Sequence, residues 1–472
     1  MLKDEIELVI TEYNSLLKRL HYNYELFDIY EGNLLEYLLR DIRSQMSEES
    51  FKTIEPRVAP INFLKKIIDK LSQIYSDTPR RSLLIENLDD VKMFDIYQKM
   101  ISIDVEMQLA NEIFNLEKYV MVRPYVDSGV PALRIMQPDK FFVMSLDKMN
   151  PTKVTHYIEI AEKSNEGDIL HVYTDEEFLI IDSKGEIKSG LMSIYGSDGT
   201  NPVGKIPAIY ISRSKFDTIP RPDTDLLKMT KMIPILFSDL NDVVFWQSFS
   251  IIYGIDLSAE NLKMSPSAFW ALQSDPTKNT KPEVGSIKPQ ADIEAVMNFI
   301  MFELQSWLSS RGIKASGIDQ GNAQVSASGL SKIVDELDTS EDRKKQIPFF
   351  RKGETELWNL IFNHLHPYWV RNKMISFNKL FAPNQNAIID FMEQHPIVDT
   401  SKLIGELTEE LRWGLTTRKK AIMKLNRGMT EKEAEIYIKE IDEESTIDVM
   451  EDKKELNNNG MDENKDQNTD KA

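Results

Sequence analysis

The apolar positions between residues 223 and 372 outline two helices around a small insert. The block LLKMTKMIPILFSDLNDVVFWQSFSIIYG is nearly as apolar as a membrane helix, but Pro234, Asp239, Asn241 and Asp242 interrupt it. A turn-rich insert follows, SPSAFWALQSDPTKNTKPEVGSIKPQ, and then an amphipathic helix, DIEAVMNFIMFELQSWLSSRG. At about 100° per residue, Ile293, Met297, Ile300, Met301, Leu304, Trp307 and Leu308 share one arc of that helix. Glu294, Asn298, Gln305 and Ser309 form a polar stripe beside it, with Glu303, Ser306 and Ser310 beyond. Phe299 and Phe302 stand outside the apolar arc. Two readings stay open: a surface helix on a globular core, or a helix that packs beside copies of itself and turns its polar stripe to a channel. The Gly/Ser-rich loop 312–328 is either a connector or a functional loop. A long helix over about 326–372 follows, with Ser326 or Ser328 as its cap and Pro348 as a kink.

Upstream, residues 1–50 read as helices, with apolar residues at Ile6, Leu8, Val9, Ile10, Tyr13, Leu16, Leu17 and Leu20. The segment INFLKKIIDKLSQIY (61–75) predicts an amphipathic helix that Asp77-Thr78-Pro79 terminates. A further helical region spans about 88–115. From about 117 to 213 the period changes to short β-rich runs parted by DSG, DKMNP, SNEGD, DSKGE and SDGTNPVG, which predicts an antiparallel sheet. KMISFNKLF reads as strand-like. Residues 401–443 read as two or three short helices, with Thr430 and Glu433 spaced as a capping box. From about Glu440, and throughout 444–472, the chain is acidic, Asn-rich and almost without aromatics, a composition that predicts disorder. The predicted fold class is α+β.

At 472 residues the chain has length for two or three domains. Its net charge of −19 argues against a dense phosphate-neutralising patch; it serves either solubility or repulsion of nucleic acid. The absence of cysteine excludes disulfides, thiolate metal sites and cysteine nucleophiles. No run of 18 uncharged apolar residues predicts a membrane span, and the acidic start MLKDEIELVITEYN does not fit a secretory signal. Gly199 to Lys205 has the spacing of a phosphate-binding loop, but Ile206 replaces the metal-holding hydroxyl and a strand follows where a helix N-terminus is needed. His364 and His366 lie two apart on a predicted helix and point to different faces, which is wrong for a shared metal. Neither a catalytic constellation, nor a metal site, nor a cofactor is expected.

The order of these elements resembles the portal proteins, or head-to-tail connectors, of tailed bacteriophages, from about residue 30 to 443. Asn62 to Ser72 looks like an early wing helix, and Asn201-Pro-Val-Gly-Lys-Ile-Pro207-Ala-Ile-Tyr like the family's turn into a strand. Asp223-Thr-Asp-Leu-Leu resembles the lead-in to the stem, and Phe269-Trp-Ala-Leu with Pro282-Glu-Val-Gly285 the clip. Ser326-Ala-Ser-Gly329 and the charged run from Glu341 resemble the kinked helix after the tunnel loop, and Gly414-Leu-Thr-Thr-Arg the crown. The resemblance implies a wing at 1–222, a first stem helix within 223–253, a clip at 254–290 and a second stem helix at 291–311. It further implies a tunnel loop at 312–328, a kinked helix and return to the wing at 329–400, and a crown at 401–443.

The implied function is a non-enzymatic ring, usually of twelve subunits, at one capsid vertex of the virion, assembled in the host cytoplasm. It would pass double-stranded DNA during packaging and ejection and bind the terminase large subunit, head-completion or adaptor proteins, and the major capsid or scaffold protein, without a membrane. Glu294, Asn298, Gln305, Ser309, Arg311, Lys314, Asp319 and Gln320 would line the DNA tunnel, and Phe269, Trp270, Pro282, Glu283 and Val284 would meet partners. Charge reversal at Glu294 and Glu303 would test lumen repulsion. Another head–tail adaptor or scaffold, and a nucleotide-dependent enzyme on the 117–213 sheet, are the competing readings.

Overall fold

The computed structural model describes residues 3–85, 87–162, 167–194, 198–248, 251–255, 283–287, 293–310, 314–315, 337–338, 340–391, 400–425 and 434–441. The chain divides into two compact units, Met1–Phe391 and Met392–Ala472.

The first unit begins with a helical frame: α1 (Lys3–Glu31), α2 (Leu34–Arg43), α3 (Glu48–Ile54) and α4 (Phe63–Leu71). On α1, Ile6, Val9, Tyr13 and Leu20 recur at helical spacing and are buried against strands, while Leu8 and Leu17 fall off that stripe and stay exposed. Helix α4 is capped by the Asn62 side chain, which accepts the Lys65 N–H. It ends at Leu71, four residues before the predicted end. Gln108 donates to the Ser72 carbonyl at 2.7 Å and Asn115 to the Ser72 hydroxyl at 3.0 Å, so tertiary partners capture the chain before Asp77-Thr78-Pro79. Tyr75 can then insert into the core, where its hydroxyl donates to Glu354 at 2.9 Å.

Strand β1 (Arg80–Leu83) precedes α5 (Leu88–Ile101) and α6 (Ile103–Glu117). The single helical region expected at 88–115 is thus two helices, parted at Ser102, whose φ of 52° is incompatible with a continuous right-handed helix. Then come β2 (Tyr119–Asp127), β3 (Val130–Met136), β4 (Phe141–Met144), β5 (His156–Glu162), β6 (Ile169–Tyr173), β7 (Phe178–Asp182), the short α7 (Ser189–Ile194) and β8 (Ile209–Ser212). The antiparallel sheet expected here is two sheets, ordered β3-β2-β8 and β4-β5-β6-β7, with antiparallel pairing throughout. The β2–β3 hairpin turns through Ser128 and Gly129, both at positive φ, the geometry that matches the twist of paired strands.

The rest of the unit comprises α8 (Thr224–Ser248), β9 (Ile251–Ile255), β10 (Glu283–Ile287), α9 (Ile293–Ser310), β11 (Lys314–Ala315), β12 (Leu337–Asp338), α10 (Ser340–Leu360), α11 (His366–Arg371) and β13 (Ala387–Asp390). Of the long helix predicted over about 326–372, residues 316–336 lie outside the described residues, and α10 begins at Ser340. Leu337–Asp338 pairs with Lys314–Ala315, and backbone groups committed to that ladder cannot serve a helix. The proposed caps Ser326 and Ser328 lie outside the described residues. Pro348 does not interrupt α10; the irregularity is a π turn at Ile361–Leu365. Pro367 lacks the N–H that would continue the α ladder, and the chain widens by one residue just before it.

KMISFNKLF is not a strand. Phe377 and Phe381 instead plug an aromatic cluster, Phe377 stacking on Tyr97 at 5.2 Å and Phe381 meeting Phe362 at 4.3 Å. The strand of this region is β13, which pairs with β1 across about three hundred residues and went unseen in the sequence. The mixed helix-and-sheet class is the one expected.

In the second unit lie α12 (Thr400–Arg412), α13 (Arg418–Leu425) and a helix over 434–441, α14. Leu407, Ala421 and Ala434 are buried within it, and Lys424 pairs with Glu410 at 2.8 Å. The predicted capping pair Thr430 and Glu433 and the tail 444–472 lie outside the described residues.

Candidate functional site

Helices α8 and α9 share one apolar seam. Ile233, Phe237 and Leu240 of α8 cluster with Met297, Ile300, Met301, Leu304 and Leu308 of α9, and Phe63 and Ile67 of α4 close the cluster. Every residue of the predicted α9 arc is accounted for: five are buried, and Ile293 and Trp307 pack half-buried against the same cluster. Between the helices, β9 pairs antiparallel with β10, Ile251 opposite Ile287 and Ile255 opposite Glu283, so a two-stranded ribbon closes the insert. The first helix therefore ends at Ser248, and residues 251–253, expected within it, are strand.

Polar contacts root α8 in the helical frame. The Asp223 carbonyl accepts the Leu226 N–H at 3.1 Å and the Tyr22 hydroxyl at 2.6 Å, while its carboxylate pairs with Lys118 at 3.4 Å. Lys231 bridges Glu25 of α1 and Asp41 of α2, the latter at 2.8 Å. Arg57 holds Asp242 at 2.6 Å. Pro234 removes one helical N–H bond, but the buried Ser238 hydroxyl donates to the Pro234 carbonyl at 2.7 Å and accepts the Ala59 N–H at 3.0 Å. Burial, then the charge of Asp242, pushes the Asp239 carboxyl up.

Of the predicted tunnel residues, Glu294, Asn298 and Ser309 are exposed on α9 and Gln305 is half-buried, all four on one stripe. Lys314 lies in β11 opposite Asp338. Arg311, Asp319 and Gln320 lie outside the described residues. Of the predicted partner-binding residues, Glu283 and Val284 sit in β10, opposite Ile255 and Gly254. Phe269, Trp270 and Pro282 lie outside the described residues. Glu303 is about 180° from Glu294 around the helix and half-buried, so the two carboxylates cannot line one lumen together. Phe299 and Phe302, outside the predicted apolar arc, are 52% and 64% exposed and, with Ala295, form a second apolar strip opposite the seam.

The phosphate-loop match is a locked turn. Asn201 Oδ1 accepts the Val203 N–H at 3.1 Å, Asp175 Oδ1 accepts the Ile206 N–H at 3.0 Å, and Lys205 pairs with Asp175 at 3.1 Å. A carboxylate already occupies the place an anion would take. His366 is buried, its Nδ1 2.6 Å from the Tyr97 hydroxyl and its Nε2 2.8 Å from the Lys379 carbonyl. A carbonyl only accepts, so Nε2 carries the proton and Nδ1 accepts from Tyr97; burial pushes the imidazole below its ordinary value. Among the described residues no group of three or more His, Asp or Glu is placed to hold a metal, and no helix is long and apolar enough to cross a membrane. No protein-family model matches the chain, and no curated protein is significantly similar to it.

Proposed function

We propose that the chain is a portal-type subunit: a non-enzymatic component of a ring that passes double-stranded DNA through one capsid vertex. The observation that carries this reading is the α8–β9–β10–α9 hairpin. Two long helices, 25 and 18 residues, mate along one seam, root in a helical frame and carry a ribbon-closed insert at their far ends. In a ring the hairpin serves as the stem and the insert as the clip, where terminase and adaptor proteins dock. The polar stripe of Glu294, Asn298, Gln305 and Ser309 faces the channel. Its single carboxylate adds to the acidity of a chain of net charge −19, which repels phosphate and keeps passing DNA from adhering. The ring resides in the virion after assembly in the host cytoplasm.

Mass photometry with negative-stain microscopy tests the reading. A ring with a central hole at about 655 kDa, twelve times 54.6 kDa, is expected. A monodisperse 54.6 kDa monomer at high protein concentration would overturn it.

A further inference from the structure

A cleft of about 460 Å³ opens in the first unit between β8, the 150–154 turn and the solvent face of α10. Its floor is apolar, formed by Val154, Ile206, Ala208, Ile209 and Leu360. Three ammonium groups border it from three separate segments: Lys153, Lys205 and Lys352. Two carboxylates face them. Asp175 is already engaged by Lys205 at 3.1 Å and by the Ile206 N–H. Glu356 is paired with Lys352 at 3.8 Å; burial pushes its carboxyl up while Lys352 and Lys205 pull it down, so Lys153 is the ammonium of the three that faces no carboxylate of the cleft. With both carboxylates ionised the cleft still holds one excess positive charge, in a chain of net −19.

The donors here are also unspent. Among the described residues, the Lys153 ammonium, the Thr355 hydroxyl, the Asn359 amide and the His364 ring make no side-chain hydrogen bond or ion pair. Thr355 and Asn359 stand one turn apart on the same face of α10, and Lys352 lies just before them, so one helix face offers an ammonium, a hydroxyl and an amide in succession.

We propose that this cleft binds a phosphate group. Ammonium groups and neutral donors around an apolar floor suit an anion with several acceptor oxygens, and partial desolvation at the floor strengthens each charge-assisted bond. The source of the phosphate is either a free polyphosphate or the backbone of duplex DNA. The proposal goes beyond the ring reading and does not depend on it, since the cleft lies wholly within one subunit and away from the α8–α9 hairpin.

The test uses the full-length protein, titrated calorimetrically with inorganic pyrophosphate and, separately, with a short DNA duplex. Lys153→Gln is the cleanest variant, because Lys153 holds no ion pair among the described residues. Lys352→Gln is the second, and Lys65→Gln, outside the cleft, is the control. Saturable pyrophosphate binding that weakens about tenfold in each cleft variant and not in the control is expected for a free-phosphate site. Duplex binding with the same pattern, and no pyrophosphate binding, identifies the backbone as the source. Binding of neither probe, or binding that both cleft variants leave unchanged, overturns the proposal. Unaltered melting temperatures of the variants keep a loss of binding distinct from a loss of fold.

Discussion

Ser238 fixes the first hairpin helix through one hydroxyl. Its oxygen accepts the Ala59 N–H and its hydrogen goes to the carbonyl of Pro234, four residues earlier. Ser238→Ala leaves the half-buried Ala59 N–H without its acceptor, so a loss of about 1 kcal/mol in denaturant unfolding is expected; an unchanged midpoint would refute that role. Glu117 is the opposite case. It is buried, one of its carboxylate oxygens has no hydrogen-bond partner among the described residues, and desolvation raises its carboxyl well above the ordinary 4.5, with Asp139 and Asp223 adding to the rise against Arg19. The folded chain holds this proton where the unfolded chain has released it. The contribution of Glu117 to stability is therefore complete below pH 4.5 and falls as pH climbs toward the raised folded value. Glu117→Gln removes the titration, so its melting temperature should fall less than that of the parent between pH 5 and pH 8. Equal slopes would place the proton elsewhere. Neither residue announces itself in the sequence, because each depends on groups from distant segments, Ala59 for Ser238 and Arg19 and Asp223 for Glu117.

At the scale of elements, α10 crosses β8 closely enough that one position must be glycine. A Cβ at Gly353 would stand 2.6 Å from both Cγ1 and Cδ1 of Ile211. Gly353→Ala should cost about 1–3 kcal/mol, and Ile211→Ala in the same chain should recover part of that loss. Strictly additive losses would show that the helix does not press on the strand there. The α9 pattern was readable because a helix buried on one face repeats its apolar residues at a fixed interval, whatever it packs against. Pairings such as β1 with β13 and β11 with β12 were not, since short strands of two to four residues carry too little period to mark them. The same brevity hid the strand at Leu337–Asp338, which falls inside the helix expected over about 326–372.

At the scale of the molecule, the ring reading turns on surfaces that one chain leaves open. Phe299 and Phe302 lie on the face of α9 opposite the seam. Changing both to Ser should shift the stability of the isolated subunit by no more than about 0.5 kcal/mol while abolishing the ring in mass photometry. Rings that persist would mean that these aromatics do not meet the neighbouring copy. Glu294→Lys addresses the channel. Assembled rings of this variant should retain duplex DNA in a filter assay at salt concentrations where the parent lets it go, and equal retention would remove the polar stripe from the DNA path.

The sequence by itself determined the mixed class, the amphipathic face of α9, the turn character of 199–206 and the acidity of the chain. These are local or compositional properties, set by periods of two to four residues or by residue counts. The tertiary structure decided where helices stop and start, the division of the 117–213 strands into two sheets, and the convergence of Lys153, Lys205 and Lys352 on one cleft. Each of those depends on contacts between segments far apart in the chain, and no period within a single segment records them.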